Sequence, residues 1–197
     1  AAYDLILEKS EPYVGILIEY ERGKDLKKEQ VITGTVRTSA QAVSSVAVGF
    51  IGAGSYAQGH LLPNIPQEKK VLLKGVMTAS ATTSRSVADR FGFEFCTGDG
   101  KDIISNESIN TVFIATRHDT HARYVAESLK AGKNVFVEKP LCVTEKELHE
   151  LEQIYALLLQ QPSPPLLMVG FNRRFSPLTE ILKERMGSGP LAMMYRI

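Results

Sequence analysis

An apolar run that breaks into a glycine-rich turn constrains this chain more than any other feature: Val46-Ala47-Val48-Gly49-Phe50-Ile51, then Gly52-Ala53-Gly54-Ser55-Tyr56-Ala57. β-Branched and aromatic residues in the first half favour a strand. The spacing G-x-G-x-x-A then matches the turn and helix start of a dinucleotide-binding unit. Gly52 permits the tight turn, Gly54 bares backbone to a pyrophosphate, and Ala57 is small enough for the helix to lie close on the strand. The free amides where the helix begins, at Ser55 and Tyr56, would face phosphate oxygens. Two glycines and an alanine at fixed offsets also recur by chance, so the surroundings decide. A helix-compatible run, Tyr56 to Leu62, follows, and a second apolar run, Val71 to Met77, arrives at βαβ distance.

From Val46 onward the periodicity predicts strand 46–51, helix 55–63, strand 71–77, helix 83–91, strand 93–96, a helical turn 100–105, strand 111–115, helix 119–131, strand 134–138 and helix 144–160. That alternation is the pattern of an α/β fold built on a doubly wound parallel sheet, the Rossmann architecture. Gly92 and Gly132 punctuate helix ends, and Thr144 with Glu147 forms a capping box.

Composition narrows the partners. Among 197 residues the formal net charge is +1, too small a field to attract nucleic acid or a membrane surface, so a small molecule is the expected partner. Nothing in the sequence excludes a homo-oligomer. Cys96 and Cys142 stand at no metal-ligand or disulfide-framework spacing, which fits a reducing cytoplasm and two small buried side chains. No run of 18 apolar residues spans a bilayer, and the chain begins at Ala1 with neither a methionine nor a leader, the expectation for a fragment.

Ahead of the glycine turn, residues 1–9 have helical spacing and Tyr13 to Tyr20 reads as a strand. This pair resembles the closing segment of the medium-chain, zinc-type alcohol dehydrogenase fold, which implies that residues 1–21 are the tail of a preceding oxidoreductase-like module. Residues 22–45 read as a linker: charges of both signs alternate, then comes a β-prone stretch, 31–38, then a Ser/Ala/Gln run. A mixed-sign run is more commonly solvated surface than a phosphate site.

In an open parallel sheet, ligands bind beyond the carboxyl ends of the strands. Two stretches there carry chemistry: Ala115-Thr116-Arg117-His118-Asp119-Thr120-His121-Ala122 after strand 111–115, and Val137-Glu138-Lys139-Pro140-Leu141 ending strand 134–138. With the glycine turn, the ATxxxxHA and KAGKNVFVEKPL segments and Gly170-Phe171-Asn172-Arg173-Arg174-Phe175 in this order, residues 46–197 resemble the glucose–fructose oxidoreductase, inositol dehydrogenase and rhizopine-catabolism (Gfo/Idh/MocA) family. Glu138-Lys139-Pro140 is the most specific element. The resemblance implies an NAD(P)-dependent oxidoreductase acting on sugar or cyclitol hydroxyls. It places Thr116 and His121 near the nicotinamide half, with Glu138 holding the cofactor or the lysine and Lys139 as the catalytic group. It also divides the chain into an NAD(P)-binding domain, 46–171, and the beginning of a substrate domain, 172–197, in which Ser176 caps a helix reaching about Met186 and residues 191–197 form a strand.

Each assignment has a plainer rival. A Glu-Lys pair at a strand end is commonly solvated surface, a histidine opening a helix commonly caps or packs it, and Arg173 and Arg174 fit a domain junction better than an anion site. The family pattern has proline where this loop carries Arg117, so stacking of that residue on the cofactor ring is in question. Its acid–base pair belongs to the second domain. A nucleotide-binding module that has lost the chemistry is therefore the alternative to an enzyme.

The choice of nicotinamide cofactor turns on the end of the second strand. An NAD-specific fold places an acid about 20 residues past the turn, to hold the ribose 2′-hydroxyl. No acid occurs from Val71 to Val87; Thr78, Ser80, Thr82, Thr83, Ser84 and Arg85 occur instead. Hydroxyls and a guanidinium suit a 2′-phosphate, which favours NADP slightly over NAD, with a Ser/Thr-rich helix cap as the plainer reading.

Overall fold

A computed structural model describes residues 31–32, 45–66 and 70–186. Seven strands occur among these residues: β1 (Val31–Ile32), β2 (Val46–Ile51), β3 (Val71–Met77), β4 (Phe95–Thr97), β5 (Thr111–Ile114), β6 (Asn134–Glu138) and β7 (Leu167–Gly170). They form one sheet in the order β1-β4-β3-β2-β5-β6-β7, with β2 to β7 mutually parallel and β1 antiparallel to β4. The doubly wound parallel sheet expected from the alternation is therefore present. From β2 the chain winds outward to β3 and β4, then crosses to β5 and continues to β6 and β7. The order reverses at the carboxyl end of β2, and in such sheets that switch point opens the ligand crevice.

The helices are α1 (Ala81–Phe91), α2 (Gly100–Ile104), α3 (His121–Lys130), α4 (Glu145–Leu158) and α5 (Pro177–Met186). Because strand side chains alternate between faces, one sheet yields two cores. Val48, Phe50 and Val76 pack with Ala57, Leu62, Val87 and Ala88 on one face; Ile51, Val112, Ile114 and Val137 pack with Ile103, Val125, Leu129 and Leu151 on the other. Both faces are covered, which is why the central strands read as apolar runs.

Local boundaries follow the punctuation, with some differences; β4, for one, runs Phe95–Thr97 rather than 93–96. The helix expected over 55–63 is a π-helical turn, Ala57–Leu61, followed by a 3-10 turn, Leu62–Asn64. Pro63 has no N–H to give a regular ladder, and the altered winding seats Leu62 fully in the core. Helix α1 starts two residues earlier than expected, because Ser80 rather than a later hydroxyl caps it, accepting from the Thr83 N–H at 3.2 Å. The helix expected from residue 119 opens with a 3-10 turn, His118–Thr120. Strand β7 was not expected: only four residues long and at a sheet edge, it follows Gln160-Gln161-Pro162-Ser163-Pro164-Pro165 without an alternation of its own.

Gly92 and Gly132 end their helices with φ of 79° and 72°, and Thr144 and Glu147 make both bonds of the capping box. Ser176 accepts from the Thr179 N–H at 3.3 Å ahead of α5. Within the stretch read as a linker, Val31 and Ile32 pair with Cys96 and Phe95 along the sheet edge. The helix at 1–9, the strand at 13–20, most of 22–45 and the strand at 191–197 lie outside the described residues.

Lys133, in the KAGKNVFVEKPL segment, has a structural task. Its buried ammonium donates to Asn106 O (2.9 Å) and Ile109 O (2.7 Å), anchoring the loop ahead of β5 to the start of β6. Burial pushes its pKa down, opposed by the nearby Glu107 carboxylate.

Candidate functional site

The carboxyl ends of β3, β2 and β5 converge on a groove of about 460 Å³, within the range of small-molecule sites. Gly52, Ala53 and Gly54 form its floor, Met77, Thr78, Ala79, Ser80 and Thr83 one end, and Ala115, Thr116, Arg117, Thr120 and Tyr124 the other. The two glycines differ in kind. Gly52 has φ of 92°, and a Cβ there would lie 2.6 Å from Thr116 N and 2.7 Å from the Ala115 carbonyl carbon. A Cβ on Gly54 would meet no atom of the described residues within 4 Å. Gly52 therefore serves the fold, whereas the bareness of Gly54 faces the open groove. Helical backbone begins at Ser55, so the first amides of that turn have no carbonyl of their own turn to serve. Among the described residues no carboxylate lines this groove, which suits a pyrophosphate.

At the β3 end, Thr78 is buried and its hydroxyl is engaged: it donates to Ser80 O (2.9 Å) and lies 3.0 Å from Ser84 Oγ, which donates to Thr97 O. Ser80 and Thr83 remain on the rim with their oxygens 2.8 Å apart. Arg85 lies on the second turn of α1, its Nε donating to both Asp89 carboxylate oxygens at 3.1 and 2.9 Å. At the β5 end, Thr120 Oγ1 lies 2.8 Å from both Thr116 Oγ1 and Arg117 O, so its single O–H is shared between two acceptors, and it pins the loop. Arg117 is largely exposed, with Asp119 Oδ1 3.4 Å from its Nε.

A second groove of about 490 Å³ lies beside the first turn after the glycines, lined by Tyr56, His60, Leu61, Phe136, Glu138, Met168, Gly170, Phe171, Asn172 and Phe175. Glu138 is buried, and its Oε2 accepts from the Lys139 N–H at 3.3 Å. Gly170 makes room for it, since a Cβ there would come 3.0 Å from Glu138 Oε1. Asn172 Nδ2 donates to Tyr56 Oη at 3.0 Å, joining the GFNRRF segment to the glycine turn, and the Arg174 guanidinium sits over the Phe171 and Phe175 rings. Lys139 is exposed at the end of β6, and the Lys139–Pro140 peptide is cis.

A family model described as an oxidoreductase family with an NAD-binding Rossmann fold, GFO_IDH_MocA, matches residues 46–164. The chain belongs to the Gfo/Idh/MocA family. It is 30% identical over 146 residues to an uncharacterized oxidoreductase, YrbE, of Bacillus subtilis, covering 74% of this chain and 41% of that protein. It is 33% identical over 147 residues to an inositol 2-dehydrogenase of Rubrobacter xylanophilus, covering 73% of this chain and 40% of that protein. The chain thus spans under half the length of these relatives. KijD10, a 3-ketoreductase from Actinomadura kijaniata in complex with TDP-benzene and NADP, has the same fold, with a TM-score of 0.63 at 22% identity over 72% of this chain and 43% of that one.

Against this Gfo/Idh/MocA background the structure distributes the expected residues unevenly. Gly52, Gly54, Thr78, Ser80, Thr116 and Arg117 share the first groove. Tyr56 and Glu138 line the second. Ala57 and His121 are buried, and Ser55, Arg85 and Lys139 line neither groove. Thr83, one of the hydroxyls noted past the second strand, also lines the first groove, whereas Tyr124 and Asn172 line the grooves without a sequence signal of their own. Asn172 was within a quoted motif, but its partner Tyr56 is 116 positions away, and no local spacing links them. No described helix is long and apolar enough to cross a membrane.

Proposed function

We propose that this chain is the cofactor-binding part of an NAD(P)-dependent oxidoreductase that moves a hydride between a sugar- or cyclitol-like alcohol and the nicotinamide. The observation that carries this reading is the bare Gly54 backbone in a groove built from three strand ends, with Lys139 at the end of the next strand but one from β2. The names of the family relatives, inositol dehydrogenases among them, support the substrate class. Residues 46–171 then form the cofactor domain and 172–197 open the substrate domain, with 1–21 a preceding module's tail and 22–45 a linker that lends β1 to the sheet edge.

When bound, the nicotinamide supplies the hydride acceptor. The chain's own groups do the rest: Gly54 and the amides at Ser55 and Tyr56 hold the pyrophosphate, and Thr116 and Arg117 flank the half of the groove nearer β6. The Lys139 ammonium donates a hydrogen bond to the reacting oxygen, stabilising its developing negative charge and relaying its proton. Glu138 holds the Lys139 amide. Binding of the nicotinamide nucleotides by the chain, and turnover by the full-length protein across a panel of sugars and cyclitols, test the reading. A full-length protein that binds the nucleotide and oxidises none of them replaces it with that of a non-catalytic nucleotide-binding module.

NADP rather than NAD is the proposed cofactor. The rim at the β3 end carries Ser80 and Thr83 and, among the described residues, no carboxylate to repel a 2′-phosphate, and Arg85 is one helical turn away. Asp89 competes for that guanidinium. Calorimetric titration should therefore show NADPH binding more tightly than NADH, Arg85→Ala weakening NADPH alone, and Asp89→Asn strengthening NADPH by freeing the arginine. Tighter NADH, or NADPH affinity indifferent to both substitutions, defeats the assignment.

A further inference from the structure

We infer that His121 is a positioning residue that sets the separation between the cofactor groove and Lys139. Its ring is fully buried at the start of α3, with Nδ1 2.7 Å from Pro140 O and Nε2 3.1 Å from Thr116 O. Thr116 lines the cofactor groove just beyond β5, and Pro140 follows Lys139 just beyond β6. The two strands are neighbours whose paired register ends at Ile114 and Val137. Past that point the backbone ladder no longer holds the two chain segments together, and the imidazole bridges them instead.

The bridge is specific in its chemistry. Both facing atoms are carbonyl oxygens, so they accept only, and whichever tautomer the ring adopts, a ring N–H donates to at least one of them. Thr116 is itself held by Thr120, and the His121 and His118 rings meet edge to face with centroids 5.7 Å apart. His121 thus couples the loop that borders the cofactor groove to Pro140, the residue after Lys139. This inference rests on the cofactor reading above. The β3 end of the groove is the ribose end of the adenosine half in this topology, so the β5 end, where Thr116 lies, receives the nicotinamide half.

The test compares nucleotides that share the adenosine half. NADPH is titrated against 2′-phospho-ADP-ribose, and NADH against ADP-ribose, with wild type, His121→Phe and His121→Asn; thermal unfolding checks each fold. The phenylalanine variant keeps an aromatic ring of similar size and loses both polar contacts. Its affinity for the nicotinamide nucleotide should fall roughly tenfold, the size of one lost hydrogen bond, while the ADP-ribose of each pair binds as before. The fluorescence change of NADPH on binding should shrink in parallel. The asparagine variant keeps a donor in the direction of Pro140 and should lie between. If the phenylalanine variant does not fold, the asparagine variant carries the test. Loss of both nucleotides in equal proportion, or an unchanged ratio in a folded variant, overturns the positioning role and leaves the cofactor reading standing. A wild-type chain that binds none of the four overturns the cofactor reading and this inference with it.

Discussion

Gly52→Ala should lower the stability of this domain by about 3–5 kcal/mol, whereas Gly54→Val, two residues on, should leave stability unchanged and weaken nucleotide binding by roughly 10²-fold. At Gly52 the backbone has φ of 92°, where an L side chain is strained, and the new Cβ would press into Thr116 N and the Ala115 carbonyl carbon at 2.6 and 2.7 Å. Those are backbone atoms of the segment leaving β5, so relief requires β2 and β5 to separate. Against a total stability of about 5–15 kcal/mol the loss is severe. At Gly54 the added Cβ meets no atom of the described residues within 4 Å, and the valine side chain instead occupies the space a pyrophosphate needs. Urea unfolding and calorimetric titration of both variants separate the two effects. A Gly54→Val protein that binds NADPH and NADH as the wild type does would remove phosphate contact from the roles of this turn, and a Gly52→Ala protein with an unshifted urea midpoint would show that the strand end yields easily.

Lys139→Ala in the full-length protein should lower kcat by roughly 10² or more with cofactor affinity nearly intact. The lysine stands at the carboxyl end of β6, exposed, with the buried Glu138 carboxylate accepting its backbone N–H. An ammonium that interacts mainly with charge developing on the reacting oxygen contributes to turnover rather than to binding, and its loss appears in kcat. Steady-state kinetics with a responsive sugar or cyclitol, alongside nucleotide titration, reads both quantities. Wild-type turnover in the variant would return the Glu-Lys pair to ordinary surface. Loss of nucleotide binding together with turnover would assign Lys139 to the cofactor instead.

The fold was legible because its instructions are local. The run from Val46 to Ile51 and its glycine turn, the capping box at Thr144 and Glu147, and the glycines at 92 and 132 each act through a few neighbouring residues, and the structure contains them where the sequence placed them. Departures arose where a local signal met a packing demand. Pro63 and the burial of Leu62 turned an expected helix into π and 3-10 turns, and Leu167–Gly170 became a strand because β6 offered an unpaired edge.

The sequence by itself determined the doubly wound architecture, the family, and the strand ends where chemistry gathers, since apolar period, glycine spacing and short motifs depend on order along the chain. Only the tertiary structure decided what each of those residues touches. It set Gly52 against the backbone of Ala115 and Thr116 but left Gly54 bare, paired Arg85 with Asp89, put Tyr56 and Glu138 in a groove apart from the glycines, and suspended His121 between two loops. These contacts join residues brought together by sheet register and crossover, and spacing along the chain carries no record of the distance across neighbouring strands.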